Sequence, residues 1–168
     1  MRARLVIAGL VIGSLTACFP FNPFAHEFTT REPKKDEVVG TYVLSHQTVQ
    51  NYAPTLANDL KGLPEQPSIV IASDGKFSFH RVPTFGDEKS PMNPRFTGFS
   101  DASGTWAIAT VGGVGDGSGK VESHWGLRLS TLSGSMGSPG FMGKSKPDRL
   151  IFTFSDPDSG EVLIFRKK

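Results

Sequence analysis

Four histidines, one cysteine, a glycine run ending in lysine and three carboxylate pairs are the residues of this 168-residue chain that could do chemistry. The histidines are His26, His46, His80 and His124. No two of them have the helical or strand spacing that aims two rings at one metal ion, and there is no second cysteine to complete a site. Asp156-Pro157-Asp158-Ser159-Gly160 begins as a calcium loop does, but such a loop needs Gly at its sixth place and Glu at its twelfth. Glu161 and Lys167 stand there, so the segment reads as a hairpin turn. Residues 112–119, GGVGDGSG, precede Lys120. A phosphate loop needs a Gly five residues before its Gly-Lys pair and a Ser or Thr after it. Val114 and Val121 occupy those positions, and the next segment is strand-like, with no helix N-terminus to face a phosphate. Ser73-Asp74-Gly75-Lys76 has the Ser-x-x-Lys spacing of a nucleophile and its base, yet Asp-Gly is a tight-turn signal. No Gly-x-Ser-x-Gly and no Lys-Thr-Gly accompany it. The pairs Asp87-Glu88, Asp116 with Glu122, and Asp156 with Asp158 lie in or beside polar loops, where solvation is the default. The expectation is no catalytic residue, no metal and no cofactor, with an enzyme of unrecognised site as the last alternative.

Cys18 is different, because its setting is specific. Met1-Arg2-Ala3-Arg4 is a short positive region, and residues 5–15 are apolar and uncharged. That run is too short to span a bilayer, which needs about 20 residues. The order positive, apolar, small is that of a secretory signal. Leu15-Thr16-Ala17-Cys18 closely resembles the lipobox of bacterial lipoproteins. The resemblance implies cleavage before Cys18 and acylation of its thiol, then of its new amine. Two acyl chains hold a protein stably at a membrane, since each buried methylene contributes about 0.8 kcal/mol. Cys18 is the only cysteine, so no intramolecular disulfide competes for it. Phe19 follows it; in the lipoprotein family an Asp there commonly retains the protein in the inner membrane, so the expectation is the outer membrane if the source is Gram-negative.

Removal of residues 1–17 takes away Arg2 and Arg4, and 18 less 2 leaves 16 basic groups against 16 acidic ones. A balanced chain gives no electrostatic footprint for nucleic acid. Hydrophobic content of 38% with 13 Phe supports a folded core. Residues 18–37 read as the lipidated cysteine and an extended tether, with three prolines and no period. Phe19, Phe21, Phe24 and Phe28 in this stretch leave two readings, insertion at the membrane interface or packing on the domain surface.

Residues 38–168 read as one β domain. Strand patterns cover 38–44, 69–71, 76–82, 104–109, 121–131, 149–155 and 161–167, separated by turn chemistry. One helix is predicted after the first strand, capped by Ser45 and running from His46, with Val49, Tyr52, Leu56, Leu60 and Leu63 on one face and Pro54 as a kink. Residues 83–102 and 132–147 read as long loops. The fold class is mainly β: an antiparallel meander of about seven strands, closed as a barrel or packed as a sandwich.

Gly40-Thr41-Tyr42 and Arg166 resemble the opening Gly-x-Trp and closing Arg of lipocalin-type barrels, where the cation covers the ring. Together with Asp74-Gly75-Lys76-Phe77, Gly104-Thr105-Trp106, residues 156–160 and the closing Phe165-x-Lys167, this set is also similar to a group of uncharacterised bacterial β domains. Trp106, Trp125, Phe77, Phe79, Phe152 and Phe154 fall on inward faces, and either line a cavity or fill a core; a filled core is the expectation. Phe141 and Met142 in the glycine-rich loop either contact a partner or tuck onto the barrel. Three functions follow in order: a lipid-anchored envelope protein with a non-catalytic domain for protein or cell-wall contact, a lipocalin-like carrier of an apolar ligand, and an enzyme.

Overall fold

A computed structural model describes residues 23–86, 95–115, 121–130, 137–154 and 159–168. Eight antiparallel strands close in sequence order into one ring. They are β1 (Gly40–Gln47), β2 (Ser68–Ile71), β3 (Lys76–Gly86), β4 (Arg95–Gly115), β5 (Val121–Leu129), β6 (Gly140–Met142), β7 (Arg149–Thr153) and β8 (Val162–Lys167). Two short helices accompany them, α1 (Lys35–Val38) and α2 (Leu56–Lys61). The closing pair is β1 with β8, from Tyr42↔Lys167 to Gln47↔Leu163.

Alternation sets the inner face. Tyr42, Leu44, Ile69, Ile71, Phe77, Phe79, Leu127, Leu129, Leu150, Phe152, Leu163 and Phe165 are buried in one cluster with Trp106. Successive residues of a strand point to opposite faces, so this every-second-residue pattern is the barrel lumen. The turn Ser73-Asp74-Gly75 joins β2 to β3 as its residue types require: Gly75 takes φ 84° and Asp74 Oδ1 accepts the Lys76 N–H. Ser73 thus lies in the turn and Lys76 opens β3.

β3 and β4 run further than their sequence patterns. Residues 83–86 and 95–100, expected as loop, form a hairpin extension whose Phe85, Phe96 and Phe99 rings pack on one another. The helix also moves. β1 continues through Ser45–Gln47 because β8 pairs with it, and the Ser45 hydroxyl donates to the Ile164 carbonyl instead of capping a helix. The helix starts only after Pro54, at Leu56. Val49 and Leu56 are still buried, and Tyr52 and Leu60 pack on the core, so the apolar face holds although half of it is turn.

The two ends of the ring are closed differently. One end carries Gln47, Val162, the 48–55 turn and the β3–β4 extension; Thr48 Oγ1 donates to Gly160 and Phe96 N–H to Tyr52. The other end carries Gly40, the β2–β3 turn and Lys167, with α1 beneath it: the buried Tyr42 hydroxyl donates to Val38 at 2.6 Å and Lys167 Nζ to Glu37 at 2.8 Å. Burial, and then the Asp148 charge, push the Tyr42 phenol well above its ordinary range.

Candidate functional site

Residues 23–29 lie on the barrel. The tether expected over 18–37 is therefore corrected for its described part. Glu27, Phe28 and Thr29 form a strap that fills a gap in the ring. β5 and β6 pair at a single register position, Gly126↔Gly140. Thr29 supplies what that seam lacks: its N–H donates to Phe141, its carbonyl accepts the Trp125 N–H, and its hydroxyl donates to Gly143 at 2.8 Å. Gly143 N–H in turn donates to Glu27, and Phe28 bridges to Met142. Every polar group of the buried Thr29 has a partner, as burial demands.

Beneath the strap is a second apolar layer, outside the barrel. Phe28, Met142, Ile151, Val162 and Ile164 are buried together, with Phe24 packed against them. Ile164 thus belongs to the outer layer, whereas its neighbours Leu163 and Phe165 face the lumen. A Cβ at Gly140 would sit 2.5 Å from the Phe28 ring, so glycine there lets the ring lie flat on the sheet.

A ring stack and an ion pair fix the strap's edges. The Phe28 ring stacks on His124 with centroids 4.4 Å apart and planes 1° from parallel. Burial of His124 holds its imidazole below the ordinary histidine range, with Glu122 opposing in part. Arg149 Nη1 meets Glu27 Oε2 at 2.7 Å, and its Nε meets Asp148 at 3.2 Å. Burial alone would lower the guanidinium's pKa, and the two carboxylates override it.

Cys18 lies outside the described residues. Phe141 and Met142 are fully buried, which overturns their reading as an exposed partner contact. They form β6, with Phe141 in the lumen and Met142 under Phe28. The four histidines do not converge, and no group of three or more His, Cys, Asp or Glu among the described residues could hold a metal ion. Each carboxylate pair has a member outside the described residues, as does the glycine run before Lys120. The cation over the Tyr42 ring is Lys167, with Nζ 5.9 Å from the centroid, and not Arg166. Arg166 stands opposite Val43 and Arg149 and is exposed; Lys167 stands opposite Tyr42. Gly40, at φ +152°, has the Lys167 side chain where its own Cβ would be.

Sequence reasoning missed the strap residues Glu27, Phe28 and Thr29 and their partners His124 and Arg149. The available signal was in the strands they cover. Residues 150–152 and 162–165 are unbroken apolar runs, the mark of strands buried on both faces. Something had to cover their outer side.

Aromatic rings meet across the lumen. In a ring of eight, β3 and β7 are diametrically opposed. Phe79 of β3 nevertheless touches Phe152 of β7, with centroids 6.3 Å apart, and Phe85 touches Phe154, just beyond β7, at 4.4 Å. Phe152 also meets Phe165 at 5.7 Å. Rings from opposite walls therefore meet on the axis.

No family model matches the chain, and no curated protein and no solved structure matches it.

Proposed function

We propose that the chain is a lipid-anchored envelope protein whose barrel is a non-catalytic module for contact with another protein or the cell wall. The observation that carries the non-carrier part of this reading is the meeting of Phe79 and Phe152 across the barrel axis. An eight-stranded barrel is just wide enough for its own side chains to fill, and a carrier must leave that space open. Leu15-Thr16-Ala17-Cys18 carries the anchor, and the residues after it supply a leash that ends on the barrel. Surface contact is the role we assign to a barrel whose aromatic rings meet on its axis and whose serine–histidine contact, Ser78 Oγ to His80 Nε2 at 3.2 Å, lies exposed on β3.

Two arms test this. Cys18→Ser is expected to release the protein from the membrane fraction or stall it with its first 17 residues attached, and the mass of the mature N-terminus reads acylation directly. An unmodified chain beginning elsewhere contradicts the anchor. Long-chain fatty acids are expected to leave the midpoint of thermal unfolding unchanged, whereas a ligand at a hundredfold excess over its Kd would add about 2.7 kcal/mol. A clear upward shift would put the apolar carrier first.

A further inference from the structure

The strap has a consequence for where the barrel sits. Its path over the sheet is oblique. Pro23 lies against Gly160, 3.3 Å from where a Cβ there would be, at the barrel end that carries the β7–β8 turn. Phe24 packs on the outer cluster that includes Val162 and Ile164. Glu27 and Thr29 then reach the β5–β6 seam near Gly143. The chain thus enters the fold at the end carrying Gln47, Val162 and the 48–55 turn, whose Thr48 holds Gly160.

The leash left over is short. Pro23 is five residue steps from Cys18. A fully extended chain covers at most about 3.6 Å per step, so Pro23 stands no more than about 18 Å from Cys18. Were the chain free up to Val38, the same arithmetic would give about 70 Å. The headgroup layer is itself about 5–8 Å deep on each side of the hydrocarbon.

We infer that the strap holds the β7–β8 end of the barrel against the bilayer surface and turns the opposite end toward the compartment. This placement rests on the lipid anchor proposed at Cys18. The partner of the near rim, with the 48–55 turn, is the lipid headgroup layer. The far rim, with α1 and the β2–β3 turn, is the end presented to other molecules. The strap therefore changes the domain from one that could range through the envelope to one that stays at the membrane.

The full-length acylated protein on phospholipid vesicles with a headgroup-attached quencher tests this. Gln50→Cys places a fluorophore on the near rim and Ser73→Cys places one on the far rim; both positions are exposed. Flotation with the vesicles reads the anchor separately. Quenching at position 50 is expected to exceed that at position 73 several-fold. A 15-residue Gly/Ser insertion between Asn22 and Pro23 is expected to keep flotation and erase most of that difference, because it lengthens the leash without touching the strap. Equal quenching at the two positions of a floating protein, or a difference indifferent to the insertion, overturns the placement while leaving the anchor standing. A chain that fails to float overturns both.

Discussion

β2 and β8 belong to the same ring and bury different amounts of themselves. In β2, Ile69 and Ile71 are buried while Ser68 and Val70 are half-buried, the ordinary alternation of a strand with one wet face. In β8, four successive residues, Val162 to Phe165, are all buried. β7 repeats this with Leu150, Ile151 and Phe152. The difference is the strap. On the β1–β3 side the barrel is a single layer around one core; on the β6–β8 side residues 24–29 add a second layer outside the sheet. Burial on both faces of these strands is therefore a property of a distant segment.

The comparison predicts unequal costs for removing aromatic rings. Phe152→Ala, on the axis, is expected to cost about 3–5 kcal/mol, because it leaves a cavity between opposed walls that cannot collapse. Its thermal or denaturant midpoint should fall accordingly, and a loss below about 1 kcal/mol would mean the axis is not packed as described. Phe28→Ala is expected to cost less, about 1–3 kcal/mol, because the strap can detach and let water reach the outer layer in place of a void. Equal losses for the two variants would erase the distinction between inner and outer layers.

The smallest effect is electrostatic and belongs to the outer layer alone. His124 is buried under Phe28 with its pKa held down by that burial. An unfolded histidine protonates near pH 6.5, so below that pH the unfolded state binds the proton more readily than the folded one. Stability contributed by neutral His124 is complete above that value and is lost as pH falls, at up to about 1.4 kcal/mol per pH unit, until the folded-state value is reached. Its facing groups are Phe28 on the strap and Glu122 two residues away, whose charge softens the effect. Unfolding measured from pH 7.5 to 5 should therefore fall more steeply for the wild type than for His124→Leu. Parallel profiles would show that this imidazole is not desolvated by the strap.

Most of the inner layer was legible in the sequence, and the outer one was not, for a physical reason. Alternation and Asp-Gly chemistry located seven of the strands because those signals are local. β6 escaped because Gly140-Phe141-Met142 is three residues long inside a Gly- and Ser-rich stretch, too short for any period. Its pairing with β7 and the strap makes it a strand, and that is tertiary information. Ser45–Gln47 read as the start of a helix because a serine before an apolar 3–4 spacing is a good cap; β8 pairing overrode the propensity. The strap has almost no local pattern, with prolines, mixed charge and scattered rings. What betrays it is elsewhere, in the unbroken apolar runs of β7 and β8. Lys167 in place of Arg166 over Tyr42 is a register fact, fixed only when β1 and β8 are aligned.

Native-state hydrogen exchange on the full-length chain, wild type against Phe28→Ala, tests the two-layer account most directly. The amides of Trp125, Thr29 and Gly143 bond to or from the strap, and those of Phe79 and Leu163 belong to the ring itself. Phe28→Ala is expected to accelerate exchange of the first group by tenfold or more, about 1.4 kcal/mol in local opening, while the second group keeps its wild-type rate. Uniform acceleration of both groups would show that strap and barrel open as one unit, and the outer layer would then be an inseparable part of the core.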